Sequence, residues 1–459
     1  MITNHRRFPG LIAILALAFG CGGGGSGTQV TTQQQPVKEW SASTVIEPNY
    51  IFSYLLREPF FASDTKGNRM ALFLRSENTV PRLYATYYSS NSKAWGTSQP
   101  IQSAGTSGDF PALVMTDSGH AVAIWRQVAN PNLQLMTASF DPSTGWSAPQ
   151  TLSPDVRMYK ITCRGENVVI IWNPASAPGN ILNARRFSVA NGWDSVETLP
   201  TPSGATIGQF QIAIDTAGNR LAVWDQIIDS WNNGVYASTY APIIGWGIPT
   251  LLNAPPVPGT AGYNPRVVMK VTGDALVTWA QYNDPNSPSN PVGTYYRKYS
   301  PSVGWGPASF AILGVVDVLT MNDAGLVLAL GPTPNPRIAN AIFSLQSATF
   351  NGSFWRDLSV LPAPPTTGLG SNSPSVAVDT AGNFILAFLA QQPSPSGSYD
   401  AWTARFNAAS LAWTTPAKLP GQSSDVDALQ VISLPNSEAS ALWIPRSGSG
   451  VGAISSDYK

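Results

Sequence analysis

A tryptophan returns along this chain at Trp40, Trp95, Trp146, Trp193, Trp246, Trp305, Trp355 and Trp413, at intervals of 55, 51, 47, 53, 59, 50 and 58 residues. A repeat of this length has room for one supersecondary unit that cannot bury its apolar faces alone, so copies must stack. The content of each interval decides the kind of unit. A Pro/Val-rich run comes first, then an Asp-x-x-Gly-Asn-type turn, an apolar run, an alternating run, and a second turn just before the Trp. Nothing in any interval sustains a helical apolar period, and 40 glycines and 39 prolines fit many short strands and turns.

The second unit reads most plainly. Phe110 to Met115 is the expected inner strand and Asp117-Ser118-Gly119 a tight turn in which Gly takes positive φ. His120 to Gln127 and Leu133 to Phe140 follow as second and third strands. Asp141-Pro142-Ser143-Thr144-Gly145 turns the chain, and Trp146 opens an outer strand ending near Leu152. Four antiparallel strands in about 50 residues make a propeller blade. Asp64 to Asn68, Asp215 to Asn219 and Asp379 to Asn383 repeat the first turn, with weaker copies at Gly165, Gly273, Gly325 and Asn436. Pro59, Pro111, Pro265 and Pro374 each stand eight residues before the turn position, placing a residue without an N–H at a strand start.

The ends of the chain fix the count. Trp40 to Ile46 matches the outer-strand pattern of Trp146 to Leu152 but has no inner strands before it. Val426 to Ser433, Ser440 to Ile444 and Val451 to Ser455 supply three strands with no terminal Trp strand. The fold class is therefore all-β, an eight-bladed β-propeller closed by an N-terminal outer strand completing the last blade. Closure leaves no long free sheet edge. The repeated tryptophans, and Trp125, Trp172, Trp224, Trp279, Phe388 and Trp443 in the second strands, are expected to pack between sheets.

Residues 1–20 read as an export signal, with His5, Arg6 and Arg7 before the apolar run Leu11 to Phe19. That run is too short for a helix to span a bilayer. Gly20-Cys21, followed by Gly22 to Gly25, resembles the bacterial lipoprotein signal. The resemblance implies that Cys21 becomes the acylated N-terminus at the outer membrane of the cell envelope, with 21–36 a tether and 37–459 the propeller. The lipid would be the sole membrane contact. Without Arg6 and Arg7 the 26 basic side chains become 24 against 26 acidic ones, a net charge of −2. No basic stripe provides a nucleic-acid footprint. Cys163 has no second cysteine to pair with once Cys21 is acylated, and its strand context predicts a buried thiol. His120 is the only histidine after the signal, so no His-based zinc site or Ser-His couple is expected, and no metal or cofactor.

The turns Phe140 to Trp146 and Ser300 to Trp305 resemble a degenerate form of the Asp-box of sialidase-like propellers. Leu56-Arg57-Glu58-Pro59 resembles the element that gives those enzymes a carboxylate-binding arginine. The resemblance implies that role for Arg57, with Arg75 as companion, and hence a glycoside-acting enzyme built from carboxylates, Tyr and Arg. At the level of architecture a lipidated eight-bladed propeller is also similar to the scaffold lipoprotein of the outer-membrane β-barrel assembly machinery. The residues themselves favour binding without catalysis. The two tight turns of each blade share one face, and the irregular loops share the other, where binding usually concentrates. That face carries Trp231, Tyr282 and the strand-end amides Gln127, Gln226, Gln281 and Gln391. The expected ligand is a glycan or an envelope protein, met by a monomeric chain.

Overall fold

The computed structural model describes residues 38–48, 60–77, 80–129, 132–176, 179–227, 233–253, 261–281, 293–332, 345–358, 361, 368–369, 374–392, 398–421, 425–445 and 452–459. Residues Glu39–Lys459 form one compact unit. Eight antiparallel sheets follow one another along it, and the chain is an all-β, eight-bladed propeller. Blades 1 to 7 span 60–100, 108–153, 158–199, 206–251, 262–313, 318–358 and 368–418. Blade 8 joins Val426–Leu434, Glu438–Pro445 and Ala453–Tyr458 to the N-terminal strand Thr44–Glu47.

The closing strand behaves as the sequence requires. Thr44 and Val45 face Ser455 and Ile454, Trp40 bridges Tyr458, and Glu39 N–H donates to Lys459 O at 2.9 Å. The eighth sheet is complete only because the two ends of the chain meet in it. At the seam, Gln430 of blade 8 exchanges hydrogen bonds with the Phe61 backbone of blade 1 in both directions.

The first turn of every blade explains its own spelling. In blade 1 the Asp64 carboxylate accepts from Lys66 N–H at 2.9 Å, Asn68 N–H at 2.8 Å and Asn68 Nδ2 at 2.6 Å. Asn68 Oδ1 then accepts from Ser90 N–H at 2.9 Å, tying the first turn to the second. The fourth turn position needs a left-handed backbone in all eight copies, from Gly67 (φ 85°) through Gly165 (φ 58°) to Asn436 (φ 60°).

Two details differ from the sequence reading. Pro111 and Pro265 lie inside the inner strands Gly108–Met115 and Gly262–Met269, not at their starts. The register shifts there, and the residues before them, Phe110 and Asn264, take φ of 45° and 54°. A bulge leaves one residue unpaired, so the missing N–H of proline costs no ladder bond. The outer strand is also interrupted. In blade 2, Gly145–Trp146 and Gln150–Ser153 each pair with Asn132–Asp141, with Pro149 in the gap.

The core is a ring of interblade layers. Met70, Leu72 and Leu74 of blade 1 meet Trp125 and Met136 of blade 2, and equivalent clusters fill each junction around to Leu434 and Phe61. The second-strand tryptophans are fully buried against the preceding blade, as expected. Blade 6 has Gly331 at that position. A Cβ there would lie 2.0 Å from Val315 O, so the incoming linker takes the space an indole fills elsewhere.

Candidate functional site

The inner strands run from the loop-rich face to the tight-turn face, so their two ends frame the two mouths of the axial channel. On the tight-turn face the first turns are stitched blade to blade. Thr65 Oγ1 donates to Asp117 O (3.1 Å), Asp117 N–H to Gly165 O (3.2 Å), Asn167 Nδ2 to Thr216 O (3.2 Å) and Asn322 Nδ2 to Gly382 O (2.8 Å). Arg164 of blade 3 crosses this mouth, donating to Met269 O of blade 5 at 3.1 Å and pairing with Asp323 of blade 6 at 3.2 Å. The half left open, between blades 7, 8, 1 and 2, holds a cavity of about 500 Å³ lined by Asp64, Thr65, Asp117, Thr380, Ser433 and Asn436 among others. Asp64 is committed to its turn, as above. Asp117 is exposed, and partial burial, then Glu166 and Asp64, push its carboxyl up while Arg164 works the other way.

One cluster was not fully visible in the sequence. His120 contacts a serine: Nδ1 lies 2.8 Å from Ser118 Oγ, and Nε2 lies 3.2 Å from Asp141 Oδ2. Ser118 Oγ also donates to Glu166 Oε2 of blade 3 at 2.7 Å, with its N–H on Oε1 at 2.8 Å. A hydroxyl has one hydrogen, so the contact to Glu166 takes the hydrogen that a serine would otherwise give to His120. The chain Asp141–His120–Ser118–Glu166 is thus a polar clasp between blades 2 and 3, not an activated nucleophile. Asp141 is held down to about 2, chiefly by the Ser143 hydroxyl and N–H. The sequence signal was present in Ser118-Gly119-His120, but the partner carboxylates lie 21 and 48 residues away.

On the loop-rich face the bulge in blade 2 re-aims Phe110. Its ring is 55% exposed at the axial rim, and the Arg126 guanidinium lies 4.2 Å from the ring centroid. Arg126 makes two 2.8 Å bonds to the Asp109 carboxylate and a third to Arg157 O at 2.9 Å. Tyr159 of blade 3 locks the bulge by donating its hydroxyl to Phe110 O, with Ile124 O a further 3.2 Å neighbour of the same oxygen. Burial pushes that phenol well above its ordinary range. In blade 4, buried Asp225 accepts from Gln209 N–H at 2.7 Å and from Asn264 N–H of blade 5 at 3.0 Å, holding two bulges at once. Burial raises its carboxyl although these N–H groups oppose the shift. The sequence reading made Phe110 the first residue of a plain strand, since no local pattern announces a left-handed Phe before Pro111.

Three of the four strand-end amides share a structural task. Trp125 Nε1 donates to Gln127 Oε1 (3.4 Å), Trp224 Nε1 to Gln226 (3.4 Å) and Trp279 Nε1 to Gln281 (3.1 Å). The glutamine two residues on satisfies the indole buried beside it. Gln226 is itself buried, and its Nε2 donates to Pro202 O and Ala205 O, so no part of this amide reaches the surface. Gln127, Gln281 and Gln391 are half-buried strand ends on the loop-rich face. Blade 3 has Pro174 in the glutamine position, and Trp172 Nε1 has no partner. Cys21, Arg57, Trp231 and Tyr282 lie outside the described residues.

No family model matches the sequence, and no curated protein does. Among solved structures, the chain is similar to the Dos1 propeller (TM-score 0.56, 9% identity, 92% of this chain and 95% of that one). It is also similar to polysaccharide lyase Uly1 (TM-score 0.47, 9% identity, 94% of each chain). A third is the α-L-arabinofuranosidase Arb93A from Fusarium graminearum with an iminosugar inhibitor (TM-score 0.42, 9% identity, 81% of this chain and 99% of that one). At these identities the likeness is one of fold, and chemistry must be argued from this chain's own residues.

Proposed function

We propose that this protein is a lipid-anchored binding propeller of the bacterial cell envelope. It recognises a glycan, or an envelope protein, through its loop-rich face without transforming it. One observation carries the reading: Phe110, an exposed ring in a strained backbone at the axial rim, flanked by the Asp109–Arg126 pair. An aromatic face with ordered polar groups beside it suits the apolar face and hydroxyl edge of a sugar ring. Backbone strain of this kind persists only where the surroundings enforce it, and it concentrates at ligand sites.

The glycoside-acting alternative needs two carboxylates free to transfer protons. On the described part of the loop-rich rim, Asp109 is held by Arg126 and Asp225 by backbone N–H groups. Asp117 in the tight-turn cavity is the carboxylate that favours the alternative, being exposed with its pKa raised. A glycan array probed with the secreted chain and with Phe110→Ala and Asp117→Asn variants separates the readings. Binding lost in Phe110→Ala and kept in Asp117→Asn supports the loop-rich site. Turnover of a glycoside panel that disappears with Asp117→Asn overturns it.

A further inference from the structure

The four most exposed large apolar side chains among the described residues are Ile243 (99%), Ile248 (90%), Ile244 (85%) and Val303 (85%). Ile243 and Ile244 form the second turn of blade 4, between Asn233–Ala241 and Gly245–Trp246, and Val303 holds the equivalent place in blade 5. Ile248 sits in the gap of the blade 4 outer strand. The fold does not need these side chains. The turn closes through Ile244 N–H on Ala241 O (3.0 Å) and the left-handed Gly245 (φ 86°), and blade 2 builds the same turn with Ser143 and Thr144. Three such isoleucines clustered at one corner of blade 4, contributing nothing to a core, suit a contact outside the chain.

The entry point of the chain points to the partner. Trp40 occupies in blade 8 the place of Trp246 in blade 4, beside the second turn, so the polypeptide enters the propeller on the tight-turn face. Sixteen residues separate Cys21 from Lys38. They reach at most about 60 Å when fully extended. A lipid on Cys21 therefore keeps a bilayer within reach of the face that bears the isoleucines. We propose that the tight-turn rim of blades 4 and 5 seats on a phospholipid bilayer, with Ile243, Ile244 and Ile248 entering its interfacial layer. This second contact holds the disc with its loop-rich face toward the ligand. It rests on the lipid-anchor reading above and adds a contact beyond the lipid itself. Apolar tips inserted to headgroup depth add buried apolar area to that of the lipid and fix the orientation of the disc.

The test uses the acylated full chain labelled with an environment-sensitive fluorophore at Ile243→Cys or, on the loop-rich face, at Val128→Cys. Vesicles of phosphatidylethanolamine and phosphatidylglycerol should shift emission at 243 to the blue and shield it from aqueous iodide, leaving 128 unchanged. In a second arm an unacylated Cys21→Ser chain is sedimented with the same vesicles. Adding Ile243→Ser, Ile244→Ser and Ile248→Ser should cut its partitioning about tenfold or more, the worth of burying such side chains. An unchanged signal at 243, or equal partitioning of both chains, overturns the proposal. Self-association of the soluble chain that the serine variant abolishes, with no vesicle response, also overturns it and assigns the rim to a second copy. The mass of the N-terminal peptide reports separately on acylation, so a missing lipid is distinguishable from a face that does not bind.

Discussion

Gln127, Gln226 and Gln281 hold the same repeat position, and their common partner is a buried indole. The Trp-x-Gln spacing was legible in the sequence because a strand returns to the same face every second residue. Its reason was not, because burial of the indole is a tertiary fact. Gln226→Ala strands Trp224 Nε1 and the Pro202 and Ala205 carbonyls together, and the expected loss is about 1–3 kcal/mol in urea unfolding. Gln127→Ala, at a half-buried position, should cost clearly less; equal losses would refute the role assigned to burial. Cys163 illustrates the same dependence on surroundings. Burial, helped by Asp117 and Glu166, pushes its thiol up to about 12, and Sγ lies 3.4 Å from Met115 O. In the folded chain Cys163 should therefore resist a maleimide at pH 8 and react only on unfolding.

At the scale of the strand, each recurring Trp faces an aromatic directly across the ladder. The pairs are Tyr88–Trp95, Phe140–Trp146, Phe187–Trp193, Tyr240–Trp246, Tyr299–Trp305, Phe350–Trp355, Phe406–Trp413 and Tyr458–Trp40, with centroids 5.1–5.5 Å apart. Cross-strand aromatic pairs add about 0.5–1.5 kcal/mol beyond their buried area. The tryptophans were visible in the sequence, but their partners, Tyr in four blades and Phe in four, hid in the spread of ring types and turn lengths. The last pair spans the whole chain, so deleting residues 39–47 removes the outer strand of blade 8 and Trp40 with it. Tm should fall sharply while blade-level circular dichroism persists; an unchanged Tm would refute closure by this strand. Gly331→Ala should destabilise by well over 1 kcal/mol, since its Cβ meets the Val315 carbonyl rather than a side chain that can swing away.

At the scale of the whole ring, the junction of blades 8 and 1 joins residues nearly 400 positions apart. Buried Arg69 pairs with Asp457 at 2.5 Å and lies 4.1 Å over the Tyr88 ring. Arg220 does the same work between blades 3 and 4, pairing with Glu197 at 2.7 Å over Tyr240. Burial opposes ionisation of Asp457, but Arg69, Lys459 and Ser440 outweigh it and hold the carboxyl below its ordinary value. A depressed carboxyl stabilises the fold above the unfolded pKa, about 3.9, and that contribution is lost as pH falls through the lower folded value. Acid should therefore loosen this seam below about pH 4, read as hydrogen exchange in Ala453–Tyr458 rising with that in Arg69–Glu77. In Asp457→Asn that step should vanish from the pH profile. Arg69→Met removes one partner but leaves Lys459 and Ser440 on the carboxylate, and should cost about 1–3 kcal/mol at neutral pH.

The sequence by itself determined the all-β class, the eight units, the turn chemistry and the meeting of the two ends. Each of these follows from local spacing: period-two strands, a Gly or Asn where φ must be positive, and a Trp after a turn. Only the tertiary structure decided which groups are available to a ligand. It buried Gln226, joined His120 to carboxylates of two blades, ran Arg164 across the channel and turned Phe110 outward on a bulge. Those outcomes depend on what the neighbouring blade presents, and a repeat read along one dimension carries no record of the face it will meet.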